Sequence, residues 1–447
     1  MRKPVLLAAL GLALALPFAA QVDTPPLTWA APAAAGARSA QGAAELPQSA
    51  PSLLDRLPRT TSADYARALQ AARARGPAGR ADAIWIELFY GDAAQQAAAE
   101  EALRQPAAAA EPQAAEMAFL RFLAASVQGE DRQTLSAALH LAQAAPSDVA
   151  TELAVRALSG QLENQGRALL DAVPSLQRLL RSPIADPTTT YMLGRALLAA
   201  VHAPGLALSQ AEALQLAGRL PHWQLWGPFG DVQNLGFDQT FALEQKIAPS
   251  YDALLAAGAS GSRTRTPESF ENIGDGIAFP QDWGAQGVDF AVTYVHASAP
   301  ARVLLRLYSS NSSQVEINGK SVLRLDRRSS YTPATATAAL ELAPGWNRIV
   351  IKLAGSSRRS FDLMLRPAPG TILEDAATPP ANAQLAAAPA LLPAPPTLGT
   401  WSSARLAAHP DDAIAAWIDG VRRTQDEDGE HGRVALEHAV QLAPHSA

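Results

Sequence analysis

Three of the eight histidines in this chain, His431, His438 and His445, fall seven residues apart, a spacing that raises the question of a metal stripe. On one helix, residues seven apart stand about 10.5 Å apart along the axis, too far to share an ion at bonds of ~2 Å. His445 also follows Pro444, outside the helix, so the three read as solvated positions. The adjacent "DEDGEH" (426–431) is rich in carboxylates but lacks the ligand spacing of a calcium-binding loop, and reads as an inter-helix turn. No P-loop, strand-borne GxGxxG, GxSxG or HExxH occurs, and "GASGS" (258–262) lacks the elbow spacing. Cysteine is absent, which removes a thiol nucleophile, a thiolate metal site and a cysteine for lipid anchoring. The expectation is a chain without a catalytic constellation, a cofactor or a metal.

Binding chemistry is the better prospect. Trp223, Trp226, Trp283, Trp346, Tyr294, Tyr308 and Tyr331 could include a platform for stacking sugars; the competing reading is that they fill a core. The polar stretch "YSSNSSQ" (308–314), with Asp326, Arg327 and Arg328, could line one end of a β-domain, where binding loops gather. Tyr308, Asn311, Asp326 and Arg327 are therefore the candidate ligand contacts, set against the alternative of an ordinary polar connection between strands.

The elements that must position these residues change character along the chain. From residue 51 to 220 the apolar spacing is helical. Ser62 can cap "ADYARALQAARARGP", Gly76-Pro77 stops it, and Ile84, Trp85, Leu88 and Phe89 form one stripe of the next helix. Met117, Leu120, Ala124 and Val127 make another after Pro112, and Asp186-Pro187 supplies an N-cap with proline at the first helical position. From 221 to 367 the period becomes two. "VDFAVTYVHA" (288–297) alternates, Asn318-Gly319 marks a hairpin, Pro344-Gly345 a turn, and Phe361, Leu363 and Leu365 a last strand. Such one-sided alternation fits an antiparallel sandwich. The aromatic and glycine-rich "PHWQLWGPFGDVQNLGFDQTF" (221–241) lies at the change of period and reads as the seam between the two folds. Residues 368–398 read as a Pro/Ala linker, partly extended. Residues 399–447 return to helices, with Pro410 and Pro444 separated by 34 residues, the tetratricopeptide period.

Composition bounds the address. The 447 residues are 48% hydrophobic, enough for about three domains of ~150 residues. A net charge of −6, with acidic and basic residues interspersed, argues against a nucleic-acid partner. At the N-terminus, Arg2 and Lys3 precede an apolar run from Val5 to Leu16, followed by Ala19 and Ala20. This reads as a signal peptide (1–20) and then a flexible leader (21–50), with no membrane span after its removal and a periplasmic or secreted destination.

"WQLWGPFGDVQNLGFDQTF", "VDFAVTYVHA", "SSNSSQVEINGKSV" and "LAPGWNRIVIKL", in that order, resemble the galactose-binding-like (jelly-roll) domain of secreted bacterial tetratricopeptide-repeat proteins. In that family the domain often precedes a transglutaminase-like domain. Ser309 to Ser313 stand where the family often has an acidic turn, and with no cysteine any transglutaminase-like enzyme would lie beyond Ala447. The resemblance implies a multidomain α plus β protein in which helical repeats flank a β-sandwich. Its expected role is non-enzymatic: repeats that bind a protein partner, and a sandwich that docks or contacts a glycan. Two alternatives stand beside it, an accessory N-terminal region of a larger transglutaminase- or protease-like enzyme, and a true carbohydrate-binding module.

Overall fold

A computed structural model describes residues 52–442 other than 61–63, 105–112, 129–130, 147, 163–166, 183–186, 202–205, 207, 230–234, 246–264, 273–275, 281–282, 284–286, 328–332, 356–358, 381, 394–396 and 426–428. The expected signal peptide and leader, and Ser62, Asp186, "GASGS" (258–262), Arg328, Tyr331 and His445, lie outside the described residues. The fold is mixed α plus β, a helical N-terminal region followed by two antiparallel sheets, with further helices after them.

Ten helices are described before the sheets: α1 (Leu53–Arg56), α2 (Tyr65–Ala74), α3 (Arg80–Tyr90), α4 (Ala93–Arg104), α5 (Ala114–Gln128), α6 (Asp131–Ala144), α7 (Val149–Leu162), α8 (Arg167–Leu180), α9 (Pro187–Ala200) and α10 (Gln210–Leu216). Their ends follow local chemistry. Ser52 and Asp55 form a capping box on α1, and the Ser209 hydroxyl accepts from Glu212 N on α10. The stripe Ile84, Trp85, Leu88 and Phe89 of α3 is buried, with the Trp85 and Phe89 rings stacked 4.8 Å apart. After the sheets come α12 (Leu398–Ala408), α13 (Ala413–Gln425) and α14 (Gly429–Leu442). They join the same hydrophobic core as the first helices, through Leu398, Ile414, Trp417, Ile418 and Val421. Polar clasps reinforce the join: Leu398 N donates to Glu152 Oε2 on α7, Trp401 Nε1 to Asp55 Oδ1 at 3.0 Å, and Arg59 pairs with Asp412. The sheets are thus an insertion between two parts of one helical body.

One sheet has the order β2 (Arg265–Glu271), β1 (His222–Phe229), β4 (Val288–Ala297), β9 (Gly345–Ala354), β6 (Ser312–Ile317), β7 (Lys320–Leu325). The other runs β12 (Ala390–Leu392), β8 (Ala334–Leu342), β5 (Ala301–Ser309), β10 (Ser360–Pro367), β3 (Ile277–Ala278). Their inner faces meet in one core, where Leu225, Val295, Val315 and Ile351 of the first sheet cluster with Leu305, Leu340 and Leu363 of the second. Two layers sharing one apolar interior make a sandwich. Between β6 and β7, Asn318 and Gly319 take φ of 51° and 77°, the doubly left-handed backbone of a tight hairpin.

Two features go beyond what the sequence patterns indicate. The row Val288, Phe290, Val292 and Tyr294 of β4 faces away from the sandwich core, beneath Phe229, Phe237, Phe241 and Leu243. The intervening Ala291, Val295 and Ala297 face inward, so β4 is buried on both sides. Alternation identifies two faces but not which is internal, and the segment after β1, including a 3-10 turn (Leu235–Asp238) and α11 (Ala242–Gln245), folds over the outer one. Residues 368–398 are also more than a linker. β11 (Leu373–Ala376) pairs with the second half of β4, and β12 forms the outer edge beside β8. Lys320 Nζ donates to Pro389 O, Asn318 Nδ2 to Ala387 O, and Ala386 N to Trp346 O. Extended proline-rich chain carries unpaired backbone groups, and open sheet edges offer partners for them.

Candidate functional site

On β5 the residues Val303, Leu305 and Leu307 enter the core, leaving Leu304, Arg306 and Tyr308 on the outer face of the five-stranded sheet. Register sets Tyr308 opposite Asp362 of β10 and Thr335 of β8, and Arg306 opposite Met364 and Thr337. α9 lands on this face. Its first turn starts at Pro187, a residue suited to a helix start because its missing N–H is not needed there, and Thr188 to Tyr191 are buried.

The Tyr191 hydroxyl hydrogen-bonds to Asp362 Oδ2 at 2.7 Å, and the Arg219 guanidinium pairs with the same carboxylate. Arg219 also donates to Leu363 O at 3.3 Å, while Leu365 N donates to Gly218 O at 2.8 Å, so this segment runs along the edge of β10. Gly218 has φ 67°, and a Cβ there would sit 3.1 Å from Arg366 Cα, so glycine is required on both counts. The Arg306 guanidinium lies over the Tyr191 ring, 3.6 Å from its centroid, with Arg219 at 4.9 Å and Arg195 at 6.0 Å. Deeper in the junction, Arg366 donates to Thr190 Oγ1 at 2.8 Å and to the carbonyls of Leu180 and Ser182. Those carbonyls end α8, where the helix dipole favours a cation.

Burial shapes the charges here. It pulls Arg306 and Arg366 down to about 10, because a dry site disfavours the charged form. Burial pushes the Tyr191 hydroxyl up, but the guanidinium groups of Arg306, Arg219 and Arg195, with the Arg219 hydrogen bond, outweigh it and bring the phenol below its ordinary value. Chemically, this arrangement can clamp two parts of the chain together and can receive negative charge.

Of the residues singled out from sequence, Tyr308 belongs to this site: it is 36% exposed at the rim, with Arg306 5.8 Å from its ring centroid. Asn311 is buried, its Oδ1 accepts from Ser360 N at 3.0 Å, and its backbone is held by Ser309 and Ser313, so it shapes the connection between β5 and β6. Asp326 and Arg327 follow β7, in the other sheet; Asp326 is exposed and Arg327 N donates to Ser312 Oγ at 2.9 Å. The structure therefore does not gather the four candidates. Trp223 and Trp283 are buried in the sandwich core and Trp226 and Tyr294 in the cluster on the outer face of β4, whereas Trp346 is half-buried beside His296. Sequence reasoning missed Arg306, Tyr191, Arg219 and Asp362. The available signal was an arginine at an outward position of "ARVLLRLYSS", two residues before Tyr308.

Two further buried pairs lie in the sandwich. Lys352 pairs with Glu244 of α11 at 3.2 Å beneath the covering segment. Asp289 at the start of β4 pairs with Arg359, both almost wholly buried. Among the described residues, no group of three or more His, Asp or Glu side chains is placed to hold a metal ion, and no helix is long and apolar enough to cross a membrane. Neither a protein-family model, a curated protein nor a solved structure matches this chain.

Proposed function

We propose that this chain is an exported, non-enzymatic interaction protein of the tetratricopeptide-repeat kind, in which the helical body binds a protein partner and a galactose-binding-like, jelly-roll sandwich docks against it or contacts a glycan. The observation that carries the reading is the junction. Tyr191, Arg219, Asp362 and Arg366 tie the helical body to the outer face of one sheet through buried, charge-assisted hydrogen bonds, and Arg306 packs over the Tyr191 ring, so the two surfaces are held in fixed register. A scaffold benefits from such rigidity because a partner touching both parts does not have to order them first. A partner identified by cross-linking in a cell-envelope preparation, then purified, should bind the full chain. It should bind Tyr191→Phe, which loses the Asp362 bond, about ten-fold more weakly. Equal affinity for both chains would show that the junction does not set the binding surface. Turnover of a peptide or glycan by the purified chain alone would replace the reading with an enzymatic one. Export is checked by N-terminal sequencing of the mature protein, expected to start near residue 21.

A further inference from the structure

Arg306 is 4% exposed, yet its Nε and Nη1 find no hydrogen-bond partner among the described residues. Its Nη2 donates to Thr335 Oγ1 at 3.2 Å, and the Tyr191 hydroxyl also favours its charged form. The guanidinium meets Tyr191 through the face of the ring, which supports the cation but leaves those N–H donors unused. The nearby carboxylate of Asp362 is engaged by Arg219 and Tyr191, and Arg156, which also faces Arg306, is paired with Glu152. A buried cation with two unused donors and no carboxylate paired with it among the described residues is costly to maintain. Its surroundings are open at one side: Tyr308, Thr335 and Arg195 are all exposed. The guanidinium is therefore one residue away from solvent, at a rim that carries a second arginine.

We propose that Arg306 is the floor of a small oxyanion site at the helix–sandwich junction, which takes a carboxylate or a phosphate group between Tyr191 and Tyr308, with Arg195 at the entrance. The ligand would accept from Arg306 Nε and Nη1, and its charge would offset the buried cation. This goes beyond the scaffold reading and does not depend on it: the site would exist whether or not the helical body has a protein partner.

The test is a titration of the full chain with inorganic phosphate and with acetate at constant ionic strength, followed by the arginine Nε–Hε resonances in NMR. One cross-peak, absent from Arg306→Met, should shift saturably with at least one of the two anions and not with chloride. Saturation by phosphate alone assigns a phosphoryl ligand, and saturation by acetate alone a carboxylate. Arg195→Gln, an exposed change that leaves the core intact, should weaken the binding about three-fold. If Arg306→Met does not fold, Arg306→Lys identifies the same cross-peak by its loss. An Arg306 resonance unmoved by either anion, or moved equally by chloride, overturns the proposal.

Discussion

Asp289 shows how strongly position governs a single side chain. It is fully buried at the start of β4, and burial pushes its carboxyl up to about 7, with the Arg359 guanidinium beside it opposing the rise. In the unfolded chain the same carboxyl releases its proton near 3.8. Between those values the unfolded state is ionised while the folded state still holds its proton, so this group's contribution to stability falls as pH rises from about 4 to about 7. Asp412 runs the other way: burial raises it, but hydrogen bonds and charge from Arg405 and Arg59 prevail and hold it below the usual range. Comparing Asp289→Asn with the parent chain isolates the first effect. The parent melting temperature should drop more than that of Asp289→Asn over this interval, measured by calorimetry; parallel curves would refute the assignment. Nothing in "GVDFAV" distinguishes Asp289 from a solvated aspartate, because its burial depends on residues far away in the chain.

At the scale of elements, local rules were legible where the cause is local. The strand β4 spans 288–297, as the alternation predicts, and Asn318-Gly319 forms the tight hairpin its residue types favour. That turn also carries long-range duties. Asn318 donates to Asn347 Oδ1 and Ala387 O and accepts from Arg348 N at 2.8 Å, knitting the hairpin to β9 and to the proline-rich tail. Asn318→Ala should therefore cost about 2–3 kcal/mol in urea denaturation. Gly319→Ala, whose Cβ would meet nothing within 4 Å, should cost only about 1 kcal/mol, the backbone penalty. Equal costs would show that backbone conformation alone decides the turn. What the sequence did not disclose was the partner of each edge. Leu373–Ala376 and Ala390–Leu392 sit in a Pro/Ala stretch with no strand pattern, and become strands because the edges of β4 and β8 accept them.

For the whole molecule, the consequential feature is that chain segments far apart in sequence complete one another. Leu398, Ile418 and Val421 are buried with Leu53, Leu54 and Leu153, and the α12 amide at Leu398 satisfies the buried Glu152. Removing residues 398–447 should therefore destabilise the first helices although none of them is altered. The expected drop is roughly 5 °C or more in melting temperature, followed by circular dichroism at 222 nm. An unchanged transition would mean that the helical body does not depend on its last three described helices.

By itself the sequence determined what depends on neighbours along the chain: where the period is 3.6 and where it is two, which turns need left-handed backbone, and that no cysteine chemistry is present. Propensity, capping and alternation act over a few residues, so they are written locally. Tertiary structure alone decided that one face of β4 lies under Phe229, Phe237 and Phe241, that Asn311 turns inward, and that Tyr191 and Asp362, 171 residues apart, share a hydrogen bond. Those outcomes follow from which apolar faces and open edges find each other when the chain collapses. The charges at the junction follow in turn, because arginines that would be ordinary surface groups are desolvated only once α9 covers the sheet.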